Sequence, residues 1–217
     1  MRANGRSARN GRVLVATRSP HKLGELRTLL HLANAELVSV DEMRIPGEPI
    51  EDARTFRGNA IIKARYYSEL AGLPTLADDS GLEVDALGGE PGVRTRRYAG
   101  EHATDDQNNA RLLSALSGLP AELRRARYRC VLAFLDPADE RPGERPWVVT
   151  RSGTLQDRIA EFARGTGGFG YDPIFEPITE PPGGRTVGQL TAEEKNRVSH
   201  RARAARAMAR HLRSLGW

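Results

Sequence analysis

The chain is short of cysteine, aromatic residues, long apolar runs and lysine, and each shortage removes a class of protein. Cys130 is the only cysteine in 217 residues, which excludes an internal disulfide and a cysteine-based zinc site. It also fits a reducing, cytoplasmic setting. Aromatic residues make up 6% and are not interleaved with basic ones, so a stacking platform for single-stranded nucleic acid is not expected. No apolar run approaches the ~20 residues of a membrane span. Residues 1–11 are basic and lead into no signal-type apolar stretch; a disordered tail is expected there. Of 33 basic side chains only Lys22, Lys63 and Lys195 are lysines, and the rest are arginine.

What is present describes a globular protein. Hydrophobic residues reach 39% and charged ones 28%, with a net charge of +5. The length fits one domain, or two small lobes around one core, expected over 12–217. A short apolar strand is expected over 12–17, then a helix over 20–32 opened by Pro20. A second strand is read at 35–40 and a long helix at 55–71 that Gly72 stops. A short strand at 73–77 is expected to end at Asp78-Asp79-Ser80-Gly81, where a turn is the plain alternative to a site. Thr104 caps a helix to about residue 116. A strand at 127–135, a proline-rich turn at 136–146 and a partner strand at 147–152 follow. From Thr191 onward one helix is expected, with Thr191 and Glu194 as a capping box. This order predicts a mixed-sheet α/β or α+β fold.

Four segments carry candidate chemistry. Thr17-Arg18-Ser19-Pro20-His21-Lys22 lies where a strand meets a helix, and hydroxyls, backbone N–H groups and a lysine there suit an anion. From this segment alone an ordinary N-cap turn with a surface lysine is the favoured reading, since such caps are common. Asp78 and Asp79 follow a buried strand, and adjacent carboxylates repel unless a cation compensates them. Mg²⁺ would do so, with Glu51 as a second ligand. Gly165-Thr166-Gly167-Gly168-Phe169-Gly170 matches G-x-G-x-x-G in form, but Tyr171-Asp172-Pro173 follows, so it cannot open a helix as a dinucleotide site requires. A glycine-rich loop with Phe169, Tyr171 and Asp172 better suits a flat ring. The run from Glu193 to Arg201 concentrates polar groups where an amphipathic helix would show an apolar stripe.

Together these segments resemble the inosine triphosphate pyrophosphatase, or Ham1-like, family. The matching pieces are VLVATRSPHKLGEL, TFRGNAIIKARYY, LADDSGLEVDALGGEPGV with RRYAG, RGTGGFGYDPIF and LTAEEKNRVSHRARA. They stand in family order across nearly the whole chain from about residue 12. The resemblance implies an elongated two-lobed fold with the active-site cleft between lobes, usually as a cytoplasmic homodimer. It implies Mg²⁺-dependent hydrolysis of ITP, dITP and XTP to the monophosphate and pyrophosphate. Carried onto this sequence, Thr17, Arg18, Ser19, Pro20, His21 and Lys22 would bind phosphate. Glu51 and Asp79 would hold Mg²⁺, with Asp79 also the general base, and Lys22 and Lys63 would act on the triphosphate. Ser80 would touch the nucleotide. Phe169, Gly170, Tyr171 and Asp172 would hold base and sugar, and Lys195, His200 and Arg201 would complete the base pocket. Three positions depart from the family pattern: Ser19 replaces an asparagine, Asp52-Ala53 follow Glu51 where Thr-Gly is usual, and Asp157 replaces a glycine. Rival readings are a Maf-like enzyme acting on dTTP or UTP, and a basic nucleic-acid-binding protein using the arginine-rich ends.

Overall fold

Alternating apolar runs and helical stripes produce a mixed α/β protein. The computed structural model describes residues 11–139 and 147–217. The expected tail over residues 1–10 and the turn residues 140–146 lie outside the described residues; Gly11 is already in the first strand. In order the elements are β1 (Gly11–Ala16), α1 (Pro20–Leu30), β2 (Ala35–Ser39), α2 (Phe56–Ala71), β3 (Thr75–Val84), α3 (Asp105–Ala115), β4 (Arg125–Leu135), β5 (Val148–Ile159), β6 (Phe175–Pro177), α4 (Ala192–Val198) and α5 (His200–Ser214). The six strands follow the order β2-β1-β3-β4-β5-β6. β1 pairs in parallel with β2 and with β3, whereas β5 and β6 are antiparallel, so the sheet is mixed.

The chain divides into two compact units. The first holds the residues up to Asp79, 131–152 and 204–217. β1 lies fully buried here from Val13 to Ala16, as a parallel strand covered on both faces must be. Thr55 caps α2 through a bond from Gly58 N, and Gly72 closes it at φ 63°. The second unit holds 80–130 and 153–203. Its core gathers Leu82, Leu112, Leu116, Tyr128, Leu155 and Phe175 among others. Arg124 is buried in this unit and donates to three carbonyls, of Leu116, Ile159 and Ala160, at 2.6–2.8 Å. It thereby ties the end of α3 to the end of β5.

Three expectations are corrected. Asp78-Asp79-Ser80-Gly81 is no turn: it lies inside β3, which runs ten residues from Thr75 to Val84. Successive strand side chains point to opposite faces, so the two carboxylates are not pressed against each other and a strand tolerates them. The C-terminal helix is two helices. Ser199 adopts an extended backbone, φ −62° and ψ 156°, and its Oγ accepts from Ala202 N at 3.1 Å, so it ends α4 and caps α5. The capping box of Thr191 with Glu194 forms as expected. β5 also continues to Ile159, seven residues past its expected end at 152.

Candidate active site

In the first unit, the turn after β1 builds an N-terminal cap. Ser19 Oγ accepts from Lys22 N at 3.4 Å, and Thr17 Oγ1 accepts from Ser19 N at 3.1 Å. Pro20 occupies the first helical turn. Serine caps as well as asparagine, so Ser19 preserves the backbone of this turn. His21 is exposed on the same turn. Arg18 is committed elsewhere. Its guanidinium donates to Ile45 O at 2.8 Å and Gly47 O at 2.9 Å, and pairs with Asp41 and Glu48. With those donors engaged, Arg18 braces the loop over 41–48.

The two carboxylates on β3 each meet a different lysine. Lys22 Nζ lies 2.7 Å from Asp78 Oδ1, whose side chain is fully buried. Lys63 Nζ, from α2, sits 2.9 Å from Asp79 Oδ1 and 2.7 Å from Glu51 Oε2. The carboxylates are therefore compensated by lysine in the protein alone. Burial works against the charge on Lys63, but Asp79 and Glu51 outweigh it and raise its pKa, so it stays protonated. Burial also raises the Asp79 carboxyl above the ordinary value, against the pull of Lys63 and Lys22. Glu51 is placed by its loop: Ala53 N donates to the buried Asn59 Oδ1 at 3.0 Å. A Cβ on Gly58 would come within 2.5 Å of the Ala53 Cβ, so the loop rests directly on the first turn of α2.

In the second unit, the glycine-rich loop is organised by Asp172. Its Oδ2 accepts from Phe169 N at 2.9 Å and from Lys195 Nζ at 2.7 Å. Its Oδ1 accepts from Tyr128 Oη at 3.2 Å. Gly168 has φ +73°, and a Cβ there would lie 2.0 Å from Asp172 Oδ2, so no other residue fits. The Phe169 ring stands 4.5 Å from Lys195 Nζ and 5.6 Å from the Arg201 guanidinium carbon, cation–π distances. Arg201 is buried and donates to Ser80 Oγ at 2.9 Å. His200 is buried and stacks flat on Tyr128, centroids 4.6 Å apart and planes 6° apart. Tyr171 is a core residue whose hydroxyl donates to Thr95 O at 2.8 Å, so its side chain supports the loop from beneath.

A model of the Ham1 family matches residues 13–211. The chain belongs to the Ham1 family. It is 45% identical to the dITP/XTP pyrophosphatase of Geobacter sulfurreducens, over 95% of this chain and 97% of that one. It is 45% identical to that of Methylococcus capsulatus, over 94% and 97%. Among solved structures, the Ham1 protein of Staphylococcus aureus superposes with a TM-score of 0.80 at 32% identity, covering 94% of this chain and 98% of that one. The nucleoside-triphosphatase, or dITP/XTP pyrophosphatase, of Mycobacterium abscessus does so at 0.71 and 42% identity, covering 91% and 98%.

The donors of this Ham1 chain fit a magnesium ion that arrives with phosphate. The buried Asp79 Oδ2 has no hydrogen-bond partner, and Glu51 and Asp79 share Lys63 between them. Among the described residues no group of three or more acidic, histidine or cysteine side chains could cage a metal. Magnesium is commonly held by one or two carboxylates plus substrate phosphates, which is the set available here. Tyr128 belongs to these arrangements but carries no motif signal, because it lies in an alternating strand where an inward tyrosine reads as core. Asp78 stands out in the sequence beside Asp79, but its pairing with Lys22 does not.

Proposed function

We propose that this Ham1 protein is a Mg²⁺-dependent hydrolase converting dITP, ITP and XTP to the monophosphate and pyrophosphate, and so clearing deaminated purines from the nucleotide pool. The observation that carries the reading is the Glu51–Lys63–Asp79 arrangement with an unpartnered buried carboxylate oxygen. Relatives covering nearly the whole chain and named dITP/XTP pyrophosphatases support the substrate class. Residues 12–217 would serve as one catalytic domain. The group around Asp79 handles the triphosphate and the group around Phe169 the base.

When bound between Asp79, Glu51 and the phosphates, Mg²⁺ would supply positive charge to the anhydride under attack. Lys63 and Lys22 add fixed ammonium charges, so electrostatic stabilisation carries most of the rate. Asp79, its Oδ1 held by Lys63, orients the attacking water and accepts its proton. A phosphate would meet the positive N-terminal end of α1 at Pro20, with the Thr17 and Ser19 hydroxyls beside it. The base stacks on Phe169, while Lys195 and Arg201 present donors to an oxygen at the purine 6-position; adenine offers an amino group there and is left mispaired. The protein would act in the cytoplasm as a homodimer. Among the described residues no helix is long and apolar enough to cross a membrane.

The deciding experiment measures pyrophosphate release from ITP, dITP, XTP, ATP, dTTP and UTP, with Mg²⁺ and with EDTA. Turnover confined to the first three and dependent on Mg²⁺ is expected. Preferential dTTP or UTP turnover would sink the reading in favour of a Maf-like enzyme. Salt-sensitive nucleic-acid binding without pyrophosphate release would sink it in favour of a basic binding protein.

A further inference from the structure

The loop that carries Phe169 is gripped from a helix that contributes nothing else to the site. Asp105 opens α3 and Asn109 lies one turn later, at the i, i+4 spacing that puts two side chains on one face. Asp105 Oδ2 accepts from Gly170 N at 2.6 Å, and Asn109 Nδ2 donates to Gly170 O at 3.0 Å. Both backbone groups of a single residue are thus held, on the residue next to the ring. Gly170 has φ +64°, a conformation open to glycine at no steric cost and therefore also easily lost. Asn109 is buried, and its Oδ1 has no hydrogen-bond partner. An amide buried with one end unsatisfied costs free energy, so its orientation toward Gly170 is maintained at a cost to folding. The neighbouring Asn108 grips a different segment, with its Oδ1 accepting from Ala99 N and its Nδ2 donating to Arg96 O. The face of α3 bearing Asp105 and Asn109 is accordingly given over to the base loop.

We propose that Asp105 and Asn109 are positioning residues that fix Gly170, and through it the Phe169 ring, so that they set affinity for the purine base without acting on the phosphoryl chemistry. The inference rests on the pyrophosphatase reading above. Neither side chain needs to touch substrate. Asp172 anchors the ring's own amide, and the α3 pair anchors the next peptide, so the loop is held on both sides of the Phe169 Cα.

The test uses Asp105→Ala and Asn109→Leu; leucine approximates the shape of asparagine but has no donor for Gly170 O. KM for ITP is expected to rise about tenfold in each, with kcat changed less than twofold. The inhibition constant of inorganic tripolyphosphate, which has no base, should stay within twofold of wild type. Asp105→Asn retains an acceptor oxygen and should restore KM to within about threefold of wild type. Hydrogen exchange in the ligand-free protein gives a readout apart from activity: the Gly170 amide should exchange at least tenfold faster in Asp105→Ala. Should Asn109→Leu fail to fold, Asp105→Ala carries the test, because Asp105 is exposed. Wild-type protein without ITP or XTP turnover would remove the parent reading. Normal wild-type turnover with unchanged KM in Asp105→Ala, or equal losses for ITP and tripolyphosphate, would overturn this inference alone.

Discussion

Lys63 offers the sharpest test of the electrostatic argument. Replacing it with methionine keeps most of the apolar stem but deletes the ammonium that lies within 3 Å of two carboxylates. Removing one partner of a buried ion pair typically costs about 3–5 kcal/mol, because the other charge stays buried and unpaired. Glu51 is one-third exposed at its side chain, whereas Asp79 is only 12% exposed. The Asp79 carboxyl is already raised by burial and can escape by taking a proton, so the low end is expected, about 3 kcal/mol. For a chain of this size each kcal/mol moves Tm by roughly 2–4 °C, which predicts a loss of about 6–12 °C. The assay is thermal unfolding with pyrophosphate present, in EDTA and in rising Mg²⁺. A divalent cation between the same carboxylates replaces the lost charge, so Lys63→Met should gain more from Mg²⁺ than wild type. At a hundredfold excess over Kd a ligand adds about 2.7 kcal/mol, close to full rescue. A variant that melts with wild type in EDTA would refute the claim that Lys63 compensates buried charge. A variant that melts low but ignores Mg²⁺ would refute the pairing of Glu51 and Asp79 as its ligands.

Asp79→Asn should lower kcat by about 10²–10⁴-fold; Lys63 keeps Glu51 as its charged partner, so circular dichroism should stay near wild type while Tm falls, and a near-normal rate removes Asp79 as the base. Gly168→Ala should destabilise by about 1–3 kcal/mol and raise KM for ITP, since its Cβ would displace the Asp172 carboxylate; unchanged KM and Tm would contradict the loop geometry. Glu42 is held down to about 2 from 4.5 by Arg27 and the Ser39 amide. A depressed carboxyl stabilises the fold above its unfolded pKa and loses that contribution as pH falls through the folded value. The loss therefore falls between about pH 4.5 and 2, and urea unfolding of Glu42→Gln should show a shallower slope across that window than wild type.

The order of elements was legible because apolar spacing carries it: the stripes of α1 and α2, the run of β1 and the alternation of β4 all stand in the sequence. The length of β3 was not. Two aspartates, a serine and a glycine read as a turn from local preference, and only the lysines brought by α1 and α2 make a strand tolerable there. The break at Ser199 was equally hidden, since serine at that point is compatible with a continuing helix until its hydroxyl is seen capping Ala202. Within the candidate site, Lys63 and Glu51 were expected together near Asp79 and lie there. Arg18 was expected on phosphate, and its partners Asp41 and Glu48 are too distant in sequence to have been foreseen. Tyr128 illustrates the general limit: a residue that acts by supporting Asp172 and His200 has no pattern of its own.

The joint at Ser199 has one more consequence. Lys195 and Arg201 are six residues apart, which on an unbroken helix at 100° per residue would aim them ~120° apart. Both nevertheless reach the Phe169 ring. The joint thus works as a phase shifter: it resets the angular origin between two short helices so that two cations converge on one aromatic plane. Lengthening or shortening the chain by one residue there would rotate Arg201 away while leaving Lys195 in place. The aim of the two cations is therefore set by residue count at one backbone position, a property that substitutions among the ring's own neighbours would leave untouched.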